Sequence, residues 1–311
     1  MSKVSIIGGG GLVGSHVAYE LQSAGVVDDV VLLDANKGLA DGQARDLNDG
    51  SAYVKKKQRI TGGDYDEIPS TDVVVITAGH RRKPDEQRLA LINRNVVLFR
   101  SILAHLKAAG LKDNAVVHVV SNPVDILTHL AATELEIDPN RVVGLGTMLD
   151  TARFRSHIGA HVNVSPADVS AMIVGEHGDS MVPLWSKAFV GEKNVEKMDG
   201  MDEAAKQAII TATKTGGAQV IKLTEGVRFA VARVVAEVIH AIIQNTPRIL
   251  PISSLQTGDY GIRDISISVP TLVNGKGIHS RSELPLRTRE VEALRASAEI
   301  VKDTLRKVPS T

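Results

Sequence analysis

The sequence contains no cysteine, which removes disulfides, thiolate metal sites and cysteine nucleophiles from consideration. That fits a reducing compartment. Neither sign of charge is in excess, since 36 basic residues balance 36 acidic ones. Such a chain has no global field for a polyanion, so nucleic acid is not expected as the main partner. Long apolar runs are missing too. The first run, Val4 to Ile7, breaks into glycines, no basic segment precedes it, and no span reaches the length of a membrane helix. The expectation is a cytoplasmic protein with no membrane partner. What is present is ordinary for a globular chain: 311 residues, 43% hydrophobic and 23% charged. That is enough for two domains, or for one open-sheet domain with a second lobe.

Short β-branched runs at Lys3–Ile7, Val30–Asp34, Asp72–Thr77 and Ala115–Ser121 alternate with helical patterns at Leu12–Ala24, Gly42–Ala52 and Gln87–Ala109. The runs are too continuously apolar for a sheet with one wet face, and the alternation is that of an α/β, doubly wound parallel sheet. After about Gly146 the rhythm changes. A helix beginning near Asp150 leads to the run Val169–Val174, then to helices at Asp202–Leu223 and Val227–Gln244. Strand-like runs at Arg248–Leu255 and Ile265–Val273 follow, and a charged amphipathic helix at Glu290–Lys307 closes the sequence. The expected organisation is a nucleotide-binding domain over residues 1–146 and a mixed α+β substrate domain over residues 147–311.

The segment Ile6-Ile7-Gly8-Gly9-Gly10-Gly11-Leu12-Val13-Gly14 carries chemistry. It satisfies G-x-G-x-x-G with Gly9, Gly11 and Gly14, and G-x-x-G-x-x-G with Gly8, Gly11 and Gly14. Glycine is needed where a turn is too tight for a Cβ, where backbone approaches a pyrophosphate, and where helix packs on strand. The helix N-terminus then faces the phosphate charge. Asp34 ends the second run, about twenty residues on, where a carboxylate grips a ribose 2′-hydroxyl and repels a 2′-phosphate. The bland alternative is a glycine turn plus a helix-capping aspartate. Strand, glycines, helix and acid in register favour a Rossmann domain that binds NAD rather than NADP, held by Gly8, Gly9, Gly11, Leu12, Val13, Gly14 and Asp34.

Further motifs are more specific. Ser121-Asn122-Pro123-Val124-Asp125 ends a strand, Leu149-Asp150-Thr151-Ala152-Arg153-Phe154-Arg155 opens a helix, and Gly175-Glu176-His177-Gly178-Asp179 follows a strand. With Thr77-Ala78-Gly79 and Arg88, in this order and spacing, the sequence resembles the lactate/malate dehydrogenase family from Val4 through the last helix. His177 lies between glycines in a loop, and histidine's ordinary pKa near 6.5 suits proton exchange at neutral pH. The resemblance implies that His177 takes the proton of a 2-hydroxy acid as hydride leaves, that Asp150 orients it, and that Arg153 clamps the substrate carboxylate. An arbitrary D-x-x-R at a helix start is otherwise a cap and a local ion pair. Asn122 would hydrogen-bond near the substrate carbonyl and the nicotinamide, with a cis Asn122–Pro123 bond. Thr77, Ala78, Gly79, Asn95, Ser121 and Asn122 complete the implied cofactor contacts, and Val227 the substrate wall. A homodimer or homotetramer is implied as well.

The segment His80-Arg81-Arg82-Lys83-Pro84-Asp85-Glu86-Gln87-Arg88 matches the family's closing loop. There Arg88 would polarise the reacting carbonyl once water is expelled. Arg82 stands where malate-type members carry an arginine for a second carboxylate and lactate-type members carry glutamine. Closing it over a methyl group would bury an unpaired cation. The expectation is therefore a malate dehydrogenase, interconverting malate and oxaloacetate in the tricarboxylic acid cycle. The alternative is an L-lactate dehydrogenase or a broader 2-oxo acid reductase. Glu176, the segment Pro183-Leu184-Trp185-Ser186 and the segment Gly144-Leu145-Gly146-Thr147 are more lactate-dehydrogenase-like, and Asp85 replaces the usual loop glycine. A non-catalytic NAD-binding protein would lack one of Arg88, Asp150, Arg153 or His177, and all four are present.

Overall fold

The computed structural model describes residues 1–81 and 87–309, with only the backbone of Arg88. The first half runs β1 (Lys3–Ile7), α1 (Leu12–Ala24), β2 (Asp29–Leu33), α2 (Lys37–Asp49), β3 (Arg59–Gly62), β4 (Val73–Ile76), α3 (Arg88–Ala109), β5 (Val116–Val119), α4 (Val124–Glu134) and β6 (Val142–Gly144). These strands are parallel and stand in the order β3-β2-β1-β4-β5-β6. The order reverses between β1 and β4, so a crevice opens beyond their carboxyl ends. Val73, Val74, Val75 and Ile76 have no exposure at all, the mark of a strand covered on both faces.

In this half, three elements were not apparent from sequence patterning. β3 is four residues long and starts on exposed Arg59, and β6 has only three residues. α4 buries Val124 through Thr128 and Leu130 through Ala132, so even its polar Asp125 and Thr128 face the interior and it does not divide into one wet and one dry face. α2 also begins earlier than expected, at Lys37 rather than Gly42, because the Asn36 side chain accepts the Leu39 N–H as its cap. Contrary to expectation, one helical stretch, Leu89–Ala109, is long and apolar enough to cross a membrane by length and composition. Its Ile92, Val96, Phe99, Leu103 and Leu106 lie in the main core, spaced three and four apart. It is a core-facing helix.

The second half runs α5 (Met148–Val162), β7 (Val169–Ser170), β8 (Ile173–Val174), β9 (Val182–Pro183), β10 (Phe189–Val190), β11 (Lys193–Asn194), α6 (Glu203–Leu223), α7 (Phe229–Ile243), β12 (Arg248–Thr257), β13 (Arg263–Asn274), β14 (Gly277–Arg281) and α8 (Thr288–Leu305). The run Val169–Val174 is not one strand: β7 joins β10 and β11, while β8 pairs with β9. The antiparallel strands β12, β13 and β14 extend the first sheet to nine strands through a single register pair, Ser253 with Gly144. A Cβ on Gly144 would lie 2.1 Å from Thr128 Oγ1 and 2.8 Å from Ser253 Cβ, so only glycine admits the hairpin there. The main core therefore runs through both halves, and a smaller cluster around Phe154, Ile158 and Trp185 fills the far side of α5. Phe154 and Trp185 meet edge to face at 4.9 Å.

Candidate active site

The crevice beyond β1 and β4 is closed by backbone rather than by side chains. Gly8 has φ +85°, and a Cβ on it would lie 2.6 Å from Ala78 N and 2.9 Å from Thr77 Oγ1. One on Gly14 would lie 2.3 Å from the Gly8 carbonyl. The Gly8 and Gly9 N–H groups both donate to Leu33 O, which ties the turn to the end of β2. α1 begins at this turn with no side-chain cap and no acid in its first turn, so its leading N–H groups suit an anion. Asp34 accepts the Gly10 N–H at 3.1 Å, which sets its carboxylate beside the glycines. A cradle that no Cβ can enter, a helix N-terminus and an acid fit a dinucleotide.

Opposite the glycines, the ends of β4 and β5 are stapled together. Ser121 Oγ donates to Ala78 O at 2.6 Å. Asn95, on α3, accepts the His80 N–H at 2.7 Å and donates to Asn122 O at 2.9 Å. Asn95 is buried, and its amide is spent on holding these two loops together. Asn122 is exposed, with its Oδ1 accepting the Val124 N–H at 3.2 Å across the cis Asn122–Pro123 bond.

His177 Nδ1 lies 2.5 Å from Asp150 Oδ2. With Nδ1–H donated to the carboxylate, Nε2 is the nitrogen left for a substrate. Asp150 is 2% exposed at its side chain and His177 24%, so the pair is anchored inside and opens outward. Burial pushes the imidazole down, but the Asp150 charge and hydrogen bond, aided by Asp125 and opposed by Arg153, bring it up to about 8.

Arg153, one turn along α5, reaches Asp150 Oδ1 only at 3.4 Å. Its side chain lies along α6, where a Cβ on Gly216 would be 3.4 Å from Arg153 Cδ and one on Gly217 would be 3.3 Å from a terminal guanidinium nitrogen. Two adjacent glycines cost a helix about 1 kcal/mol each relative to alanine, and the arginine lies against this bare stretch of backbone. Burial lowers the Arg153 pKa, countered by Asp150, and the group stays cationic.

The structure thus brings together Asp150, Arg153 and His177, and separately the glycine turn, Asp34, Thr77, Ala78, Gly79, Asn95, Ser121 and Asn122. Val227 follows Gly226, which faces Leu12, and it packs against the main core beside the cofactor turn. The wall that Arg153 meets is the Gly216–Gly217 pair instead. Arg82, Asp85 and the side chain of Arg88 lie outside the described residues. Sequence reasoning assigned nothing to Asp125, although it closes the Ser121–Asp125 motif, because its partner in the fold is the backbone of His177.

Comparison with known proteins gives a consistent picture. The lactate/malate dehydrogenase NAD-binding domain matches residues 2–144, and that family's α/β C-terminal domain matches residues 147–311. The chain is 37% identical over 308 residues to the L-lactate dehydrogenase of Bacillus caldotenax, covering 98% of this chain and 96% of that protein. It is likewise 37% identical over 312 residues to L-lactate dehydrogenase 1 of Clostridium acetobutylicum, covering 98% and 97%. The crystal structure of the minor L-lactate dehydrogenase from Enterococcus mundtii superposes with a TM-score of 0.95 at 34% identity, over 100% of this chain and 99% of that one. These similarities overturn the expectation of a malate dehydrogenase in the tricarboxylic acid cycle. That expectation weighed one loop side chain, Arg82, above lactate-type signals spread over β6, the His177 loop and β9.

Proposed function

The chain belongs to the lactate/malate dehydrogenase family, and on that premise we propose that it is an NAD-dependent L-lactate dehydrogenase, interconverting pyruvate and L-lactate. The observation that carries this reading is the pair of buried Asp150 and partly exposed His177 beside Arg153, in a chain whose near-full-length relatives are L-lactate dehydrogenases. When bound, NAD accepts or supplies the hydride equivalent. Gly8, Gly9, Gly11, Leu12, Val13 and Gly14 would hold its pyrophosphate, and Asp34 its ribose.

Each remaining role is taken by this chain's own residues. Arg153 pairs its guanidinium fork with the substrate carboxylate, a match of planar geometries. That fixes the reacting carbon relative to His177, and Asn122 steadies the carbonyl from the end of β5. His177 Nε2 then gives its proton to the carbonyl oxygen during reduction and takes it back during oxidation. Asp150 fixes the tautomer and stabilises the imidazolium, and it gives up no proton itself. By the family resemblance, Arg88 would add positive charge where the transition state is negative. The chain acts as a homo-oligomer. In keeping with that, the large side chains of Tyr53, Leu223 and Phe229 are 95%, 82% and 69% exposed in the single chain.

Steady-state oxidation of NADH tests the reading, with pyruvate as the varied substrate. Turnover with pyruvate, and a higher kcat/KM for it than for any dicarboxylic 2-oxo acid, is the expected result. No turnover with pyruvate, or the reverse preference, overturns it.

A further inference from the structure

Three successive N–H groups of the histidine loop are taken by three different elements. The Gly175 N–H donates to Ser268 O on β13 at 2.9 Å, and the Glu176 N–H to Ser297 Oγ on α8 at 2.9 Å. The His177 N–H donates to Asp125 Oδ2 on α4 at 2.8 Å. The first two acceptors are neutral. The third is a carboxylate buried to 4% exposure, and burying a charge for one neutral N–H is poorly compensated. Its other oxygen, Oδ1, makes no hydrogen bond among the described residues. The Ser253 hydroxyl is near enough to temper the carboxylate but makes no hydrogen bond of good geometry to it. A serine or an asparagine would serve a purely structural anchor at lower cost. The charge calls for a reason, and the nearby cation is the His177 imidazolium.

We propose that Asp125 is a positioning residue for His177: it anchors the histidine's backbone and supplies, from the first half of the chain, a second anion that favours the protonated imidazole. This rests on the reading of His177 as the proton-exchanging group. The histidine is thus gripped from both halves, with Asp150 on its ring and Asp125 on its main chain. Four charged groups bear on the imidazole: Asp150 and Arg153 from α5, Asp125 from α4, and Glu176 through its effect on Asp125. Burial drives the Asp125 pKa up, the Ser253 hydroxyl, the His177 N–H and the imidazole charge pull it back, and Glu176 adds to the rise, leaving it at about 6. Asp125 therefore loses its charge in mildly acidic solution and the histidine loses that support with it, a coupled titration.

The test is Asp125→Asn, which keeps an acceptor for the His177 N–H while removing the charge. Two readouts are compared with wild type: the His177 imidazole titration by nitrogen-15 NMR of the protein without substrate, and the pH profile of kcat/KM for pyruvate reduction. A downward shift of roughly one pH unit in both is expected. An unmoved NMR titration, with kcat/KM lowered evenly at every pH, overturns the proposal and leaves Asp125 a structural anchor. A shifted NMR titration in a protein that turns over no pyruvate supports Asp125 while sinking the assigned activity, so the two readings fail separately. Should Asp125→Asn not fold, the His177 amide proton of the wild type decides. A step near pH 6, apart from the imidazole's own step, supports the proposal, and a single step overturns it.

Discussion

Asp150 Oδ2 and His177 Nδ1 face each other at 2.5 Å, the carboxylate deep in the protein and the imidazole about a quarter exposed. This arrangement orients the ring and raises its affinity for a proton, and both effects depend on the negative charge of Asp150.

Asp150→Asn is therefore expected to lower kcat/KM for pyruvate by about two to four orders of magnitude, since a neutral amide neither enforces the tautomer nor stabilises the imidazolium. The pH dependence has a definite sign. Reduction needs protonated His177, whose pKa is raised to about 8, so wild-type kcat/KM is level below that pH and falls above it. In Asp150→Asn the fall begins at lower pH. An unchanged profile in the variant would show that the aspartate has no electrostatic part in the reaction.

Asp34 gives a prediction about the cofactor. Its carboxylate sits beside the glycine turn, held by the Gly10 N–H, where it would meet a 2′-phosphate with like charge. Asp34→Ser is expected to narrow the preference for NADH over NADPH by roughly tenfold or more, since discrimination rests on one repelled charge. Fluorescence titration with both reduced cofactors measures it. A ratio that does not move would place the ribose contact elsewhere.

His118 gives a prediction about stability. It is fully buried in β5, its Nδ1 bonded to Val143 O at 2.9 Å and its Nε2 without a partner among the described residues. Burial pushes its pKa down to about 4, only partly offset by that hydrogen bond. The unfolded chain takes up this proton near pH 6.5, whereas the fold resists it down to about 4, so His118 erodes stability as pH falls between those values. Between pH 7 and pH 5 its contribution amounts to about 2 kcal/mol. Asp125, with its pKa raised, works in the opposite direction over an overlapping range, so the comparison of wild type with His118→Leu isolates the histidine. Urea midpoints at the two pH values are the measurement. Wild type is expected to lose more stability than the variant, and equal losses would contradict the assignment.

Much of the cofactor half was legible along the chain. β1, the glycine turn, α1 and Asp34 are consecutive, and each is needed by its neighbour within one strand-helix-strand unit, so local pattern sufficed. α4 escaped because it is buried nearly all round, polar Asp125 and Thr128 included, and β6 because it is short and owes its place to the hairpin docked at Gly144. Around the histidine, Asp150, Arg153 and His177 were picked out by motif, whereas Asp125, Ser268 and Ser297 were not. A serine or aspartate that accepts a distant backbone N–H leaves no spacing signature.

Arg82 shows the opposite risk. Its charge argues for a diacid only if it faces the substrate's far end, which is a question of position and not of composition.

The sequence alone determined that this chain builds a nucleotide-binding sheet and carries a histidine, an acid and an arginine suited to hydroxy-acid chemistry. Turn conformation, helix starts and side-chain chemistry are properties of short segments. Only the tertiary structure decided which carboxylate meets the backbone of His177, which elements take the neighbouring N–H groups, and what Arg153 lies against. The histidine loop has few partners of its own for its N–H groups, and a buried N–H must find one. The packing of α4, β13 and α8 around it therefore sets where the imidazole stands.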